Sequence, residues 1–271
     1  MFYFNIIKMS LSLKQNKAGF PIAYYLKNNN ISQNIYHIDE DNIDEKDKNK
    51  TLKKIKVNSP NDMFFPIIND YRKNEQVDSL FVCGPTGCGK SSFIRDYCIM
   101  FNNKFPNAKI YLFSSKREDE VLDKLGYIQR VEIDDDILHN PYTLQQISEL
   151  SEPSLCVFDD IEDFSNKKIN TEIARLSNEI LRNGRSYKIY LITVNHQPAD
   201  YLKTRNTLFE ASAVVIFPRR CAKTTYNYLL EKKLHIPKNY IDIIMNCKSN
   251  FVYIKKRVPE LIISDKYILL L

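Results

Sequence analysis

The chain has 271 residues, 44% of them hydrophobic and 27% charged, with a formal net charge of +6. That is enough apolar content for a packed core, and the mild basicity is compatible with a polyanionic partner. Its six cysteines form no C-x-x-C pair and several sit in apolar runs, which argues against a zinc site or a disulfide framework. No run approaches the roughly 18 apolar residues of a membrane span, and Met1–Lys8 is too short for a signal sequence, so the reading is soluble and intracellular.

Residues 1–75 are expected to form an N-terminal arm, polar and partly disordered, ahead of a domain over 76–271. Asn28–Asn30 and the run from Asp39 to Lys54 are polar, with acidic residues first and lysines after. Met63–Ile68 reads as an apolar lead-in that packs on the core.

Leu80–Cys83 is suited to a buried strand. It leads into Gly84-Pro85-Thr86-Gly87-Cys88-Gly89-Lys90-Ser91, which fits the P-loop pattern G-x-x-x-x-G-K-[ST], and Ser92 follows. Phe93, Ile94, Tyr97, Cys98 and Phe101 then repeat at helical spacing. In this context Gly84, Gly87 and Gly89 let the backbone take positive φ and come close to a phosphate. The N–H groups of the loop face ATP phosphate oxygens, Lys90 reaches the β and γ phosphates, and Ser91 places its hydroxyl on Mg²⁺. Cys88 reads as loop filler.

Further strands are expected at Lys109–Ser114, Leu155–Phe158, Lys188–Val194 and Ala213–Phe217, with a weaker one at Val131–Ile133. Ile169, Ile173, Leu176 and Ile180 mark an amphipathic helix that Asn183-Gly184 ends. Asp134–Asp136 reads as a solvated loop rather than a metal site. Thr224–Leu234 reads as helix, with two more strands at Phe251–Ile254 and Leu261–Ile263. Alternating strands and helices predict an α/β fold, a P-loop NTPase with a mostly parallel central sheet flanked by helices.

Leu155–Phe158 ends in Asp159-Asp160, an acid-tipped strand of Walker B type. Asp159 is expected to hold Mg²⁺ and Asp160 to orient and deprotonate the attacking water, with Glu162 in reserve. Asn195-His196-Gln197 follows the next strand. In additional-strand ATPases that strand lies between the two Walker strands, so Asn195, then His196, is the candidate to meet the γ-phosphate or the water.

Asn183-Gly184-Arg185-Ser186-Tyr187-Lys188-Ile189, Asn195-His196-Gln197-Pro198, Thr204-Arg205-Asn206 and Ile216-Phe217-Pro218-Arg219 resemble the viral genome-packaging ATPases of the FtsK/HerA superfamily, found in large DNA viruses and virophages. The resemblance spans roughly residues 78–220. Ser186 stands where relatives often carry His, so it is assigned no role. The resemblance implies a homo-oligomeric ring around double-stranded DNA, Mg²⁺-dependent ATP hydrolysis between neighbours, and packaging into a preformed capsid through a capsid or portal-region protein. It implies a viral factory in the host cytoplasm, or the virion, as location. It also implies an arginine supplied by the next subunit, with Arg205 first and Arg185 second. The competing readings are a superfamily 3 replicative helicase, a nucleotide kinase, and a protein that binds ATP only to hold an assembly together.

Overall fold

The computed structural model describes residues 9–12, 19–28, 30–39, 54–57, 59–74, 76–148, 151–161, 164–197, 201–220 and 222–271. Most of the charged run from Asp39 to Lys54, together with Glu162 and Pro198, lies outside them.

The N-terminal segment supplies strands β1 (Met9–Ser12), β2 (Phe20–Lys27), β3 (Asn30–Asp39), β4 (Lys54–Lys56) and β5 (Asp62–Pro66), then a short helix α1 (Tyr71–Asn74). The central segment follows as β6 (Ser79–Cys83), α2 (Lys90–Lys104), β7 (Lys109–Ser114), β8 (Ile128–Val131), α3 (Leu144–Ile147), β9 (Ser154–Asp159), α4 (Lys167–Asn183), β10 (Ile189–Asn195), α5 (Tyr201–Glu210) and β11 (Ala213–Ile216). The C-terminal part has α6 (Lys223–Tyr228), continuing as a π-helical turn over Leu229–Lys233, then α7 (Lys238–Asn246), β12 (Val252–Lys255), β13 (Leu261–Ser264) and β14 (Tyr267–Leu270).

A ten-stranded sheet runs β4-β14-β13-β12-β11-β6-β10-β9-β7-β8. The stretch from β11 to β8 is parallel throughout, and the strands on the other side of β11 pair antiparallel. This is the expected α/β fold, and β10 lies between the P-loop strand β6 and the acid-tipped strand β9, as an additional-strand ATPase requires. Every residue of β6, β9 and β11 is buried. With both faces covered, such strands read as continuous apolar runs rather than alternating ones.

Helix α2 buries Phe93, Ile94, Tyr97, Cys98 and Phe101, the residues that its spacing predicts. Helix α4 buries Ile169, Ile173, Leu176 and Ile180, and Asn166 caps it by accepting from the Lys168 N–H. Gly184 ends it for a different reason than a left-handed cap. Its φ is −53°, and an added Cβ would lie 2.5 Å from the Ile180 carbonyl oxygen and 2.8 Å from that of Ile189. Glycine is needed here for a close backbone approach, not for its conformational freedom.

The described part of the N-terminal segment is built into sheet and core. Strands β1, β3, β2 and β5 form a four-stranded antiparallel sheet, and β4 pairs with β14 at the edge of the large sheet. Leu26, Ile35, Phe64 and Phe65 are buried in the same core as α2, and Phe65 stacks on Phe93 with ring centroids 5.4 Å apart. The lead-in Met63–Ile68 packs as expected, with Phe64, Phe65 and Ile68 buried. A buried polar knot ties this segment to the sheet. The Asp78 carboxylate accepts from the Asn69 backbone N–H, the Asn69 side-chain amide and the Tyr97 hydroxyl. Tyr190 donates to the Asn69 carbonyl at 2.7 Å.

Asp134 caps a 3₁₀ turn by accepting from the Asp136 N–H, while Asp135 and Asp136 accept from Asn166 and Asn140. All three acids are thereby accounted for by local structure.

Candidate nucleotide site

The register of the parallel strands builds the site. Cys83 pairs with Asn195, Thr193 with Phe158, and Ser114 with Asp159. The chain therefore leaves β6, β10, β9 and β7 at one level, at the carboxyl ends where open α/β sheets place ligands. The Gly84 N–H donates to the Asn195 carbonyl at 3.1 Å, which fixes the start of the loop against the tip of β10.

Two loop glycines hold left-handed backbone, Gly87 at φ 73° and Gly89 at φ 112°. Gly84 is not among the positive-φ residues; its need is steric. A Cβ there would meet Cys88 Sγ at 2.7 Å and the Tyr226 hydroxyl at 3.0 Å. Cys88 is buried beneath the loop, which agrees with a packing role.

Lys90 is buried and folds back on its own loop. Its Nζ donates to the carbonyls of Gly84 at 2.8 Å and Pro85 at 3.2 Å. The same Nζ lies 3.3 Å from Nδ1 of His196, and Thr86 Oγ1 is 3.4 Å from that nitrogen. An ammonium can only donate, so Nδ1 is the acceptor and Nε2 carries the proton. Nε2 meets Oδ1 of Asp160. The side chain that bridges P-loop and acid strand is thus His196. Asn195, ranked ahead of it from sequence, is seen to contribute its backbone carbonyl.

Asp160 is buried and sits at φ 52°, a left-handed conformation that Asp tolerates better than most residues. Its carbonyl accepts from Ser115 Oγ at 2.7 Å. Its second carboxylate oxygen contacts the ammonium of Lys116, which is also 3.6 Å from Oδ2 of Asp159. Burial pushes the Asp160 carboxyl upward, but the Lys116 bond and His196 outweigh it and hold it below the usual range. Burial, then the neighbouring Asp160 charge, raises Asp159. Burial would lower Lys116, and the two carboxylates raise it instead. Asp160 is thereby held ionised, while Asp159 resists ionisation except for the pull of nearby cations, Lys116 and Lys90.

Ser91 donates to Asp119 Oδ2 at 3.2 Å. Ser91, Asp159 and Asp119 offer hard oxygen donors, and an ammonium already stands as a cation between Asp159 and Asp160. That donor set fits Mg²⁺, which is commonly held by one or two carboxylates with substrate phosphates and water. Among the described residues no group of three or more His, Cys, Asp or Glu side chains forms a complete metal cage. If the ion binds, Ser91 and Asp159 would hold it and it would neutralise phosphate charge.

The two candidate arginines stand apart from this cluster. Arg185 lies just past the end of α4, before β10 begins, so the length of that strand, about 20 Å, separates it from the P-loop end of its own subunit. Arg205 is exposed on α5, where it lines surface cavities with Phe209. Neither is among the side chains that meet Lys90, His196, Asp160 or Asp159 in the contacts described above.

Sequence reasoning missed Lys116 and Asp119. The signal for Lys116 was present: Ser114-Ser115-Lys116 leaves a strand tip as Asp159-Asp160 does, but only the adjacency of β7 and β9 makes that meaningful. Among the described residues no helix is long and apolar enough to cross a membrane.

No family model matches the chain. A Sputnik virophage protein, named only "Uncharacterized protein V3", is 31% identical over 188 residues, covering 69% of this chain and 74% of that protein. Among solved structures, the genome packaging NTPase B204 from Sulfolobus turreted icosahedral virus 2 with AMPPCP superposes with a TM-score of 0.51 at 14% identity, over 70% of this chain and 97% of that one. The conjugation coupling protein TcpA of pCW3 gives 0.50 at 13% identity, over 86% and 74%. At those identities the two structures speak for the P-loop ATPase fold. With the additional strand in place, the chain is a P-loop ATPase in fold, and it belongs to one family with the Sputnik virophage protein V3.

Proposed function

We propose that the protein is a Mg²⁺-dependent ATPase that translocates double-stranded DNA into a preformed viral capsid, working as a homo-oligomeric ring. The observation that carries the ATPase part of this reading is the continuous chain of contacts Lys90–His196–Asp160–Lys116–Asp159 across the tips of β6, β10, β9 and β7, and the likeness to the B204 and TcpA structures supports the rest. It joins a phosphate-binding lysine to an ionised carboxylate that can accept a hydrogen bond from the attacking water and orient it. Gly84–Ser92 cradles the phosphates, with Pro85, Thr86 and Cys88 as loop framework. Ser91 and Asp159 hold Mg²⁺, and Asp160 activates the water.

His196 positions Asp160 and links it to the phosphate end. Asn195 holds the loop by its backbone. Arg205, or failing it Arg185, reaches a neighbour's site. The ring meets a capsid or portal-region protein, and the work takes place in a viral factory or at the virion. The described strands of residues 1–75 act with the ATPase domain over 76–271, because Leu26, Ile35, Phe64 and Phe65 share its core.

Two comparisons of turnover separate the readings. The motor predicts hydrolysis stimulated by duplex DNA and abolished in Lys90→Ala. Stimulation by single strands alone points to a helicase, and stimulation by a nucleoside points to a kinase. A kinase also needs an acceptor cavity at the γ-phosphate end, where His196 and Lys116 stand. Near-normal turnover of a folded Lys90→Ala protein overturns the P-loop assignment.

A further inference from the structure

Beside the phosphate loop lies a cavity of about 510 Å³, with none of Lys116, Asp159, Asp160 or His196 in its wall. Its wall includes Gly87, Cys88, Gly89 and Ser92, so it opens directly off the loop. The volume falls within the roughly 300–1,000 Å³ of small-molecule sites. A triphosphate whose terminal end faces Lys90 and Asp160 would send its nucleoside this way.

The opposite wall is built from segments far apart in sequence. Phe251 packs edge-on against Phe93, centroids 5.0 Å apart, giving a buried aromatic floor. Above it Asn250 is held from both ends. Its backbone N–H and its side-chain NH₂ donate to the two oxygens of Asp265, at 3.0 and 2.8 Å. Its Oδ1 accepts from Arg219 Nη1 at 2.9 Å. A carboxylate accepts and a guanidinium donates, so these partners settle which amide atom is oxygen. Each end of the amide keeps one function: an N–H on Nδ2 and a lone pair on Oδ1. Arg220 reaches over the loop, with Nη1 3.4 Å from the Gly87 carbonyl.

A donor and an acceptor side by side on a fixed amide match the edge of adenine, which offers an amino donor beside a ring-nitrogen acceptor. Guanine presents two acceptors on the corresponding edge, and one would face Oδ1. The geometry points to this cavity as an adenine-nucleoside pocket in which Asn250, clamped by Asp265 and Arg219, selects adenine over guanine. This rests on reading Gly84–Ser91 as a triphosphate cradle.

The test measures affinities of the full-length protein for AMPPNP, GMPPNP and inorganic tripolyphosphate by calorimetry. The wild type should prefer AMPPNP over GMPPNP by about 10-fold or more. Asn250→Ala should lose about 10-fold in AMPPNP affinity and most of the preference, with tripolyphosphate affinity unchanged. Arg219→Ala leaves Asp265 paired and should weaken the preference in the same direction, so it serves if Asn250→Ala does not fold. Equal affinity of the wild type for the two nucleotides, or an undiminished preference in a folded variant, overturns the adenine pocket. If the wild type binds none of the three, the triphosphate cradle itself fails; tripolyphosphate binding without a base preference removes the pocket alone.

Discussion

The ammonium of Lys116 stands between the carboxylates of Asp159 and Asp160, at the position a divalent cation would claim. Two buried acids on successive residues repel, and a cation between them relieves that repulsion. Lys116 is half exposed, so as a stabilising ion pair it contributes little. Its consequence is competition. Lys116→Met should lower the Mg²⁺ concentration needed for half-maximal AMPPNP binding by several-fold, measured by titrating the metal at fixed nucleotide. An unchanged or higher requirement would show that the ammonium does not compete with the metal.

Asp160 and His196 should behave differently from Asn195. Asp160→Asn keeps the shape but removes the base, so ATP should still bind while hydrolysis falls by about 10²–10⁴-fold. His196→Ala releases Oδ1 of Asp160 and removes the imidazole that links it to Lys90, with an expected loss on the order of 10-fold. Asn195→Ala leaves its backbone bond to Gly84 intact and should cost less than His196→Ala. Single-turnover kinetics at saturating ATP give the comparison. Normal hydrolysis by Asp160→Asn alongside a dead Glu162→Gln would move the base to Glu162.

Arg205 is expected to act on a neighbouring subunit, where such a residue is worth about 10³–10⁵ in rate. An Arg205→Ala subunit should bind ATP through its own loop yet fail to support its neighbour. Mixing it with Lys90→Ala subunits places one intact loop beside one intact arginine in some rings. Mixed rings should recover ATPase activity that neither parent has. If proven mixed rings stay inactive, Arg205 is not the trans residue, and Arg185 takes the same test.

The Asp78 knot sets a pH dependence of stability. Burial, against its bonds to Asn69 and Tyr97, raises the Asp78 carboxyl above its unfolded value. A raised acid binds its proton more tightly in the folded state. Its contribution is therefore fully present below the unfolded value of about 3.9 and is lost as pH rises through the folded one. The Tm of the wild type minus that of Asp78→Asn should increase as pH falls from neutral into the carboxylate range. A difference that shrinks on acidification would mean the carboxyl is held low, not high.

Much of the site was legible because it is local. Gly84–Ser92 is one contiguous turn between an apolar strand and an amphipathic helix, and the pattern needs no distant residue to be recognised. Asp159-Asp160 and Asn195-His196 were legible as polar tips of apolar runs, and α4 by its 3.6-residue period. What these tips do to each other was not legible. Lys116 becomes a partner of Asp160 only because β7 pairs with β9, and His196 bridges Lys90 and Asp160 only because β10 enters between β6 and β9. Strand order carries no signature in any one segment, since each apolar run fits equally well at several places in a parallel sheet. The N-terminal segment misled for a related reason. Its polar stretches dominate the average composition, whereas Leu26, Ile35, Phe64 and Phe65 are buried where the β2–β3 hairpin pairs with β5, further along the chain, and joins the core of α2. The sequence by itself determined the phosphate loop, its acid partner and the α/β class, all written in short-range pattern. Only the tertiary structure decided which cation stands between the acids, which side chain links them to the loop, and which walls enclose the cavity beside it, because these depend on the order and register of strands that are separated in sequence.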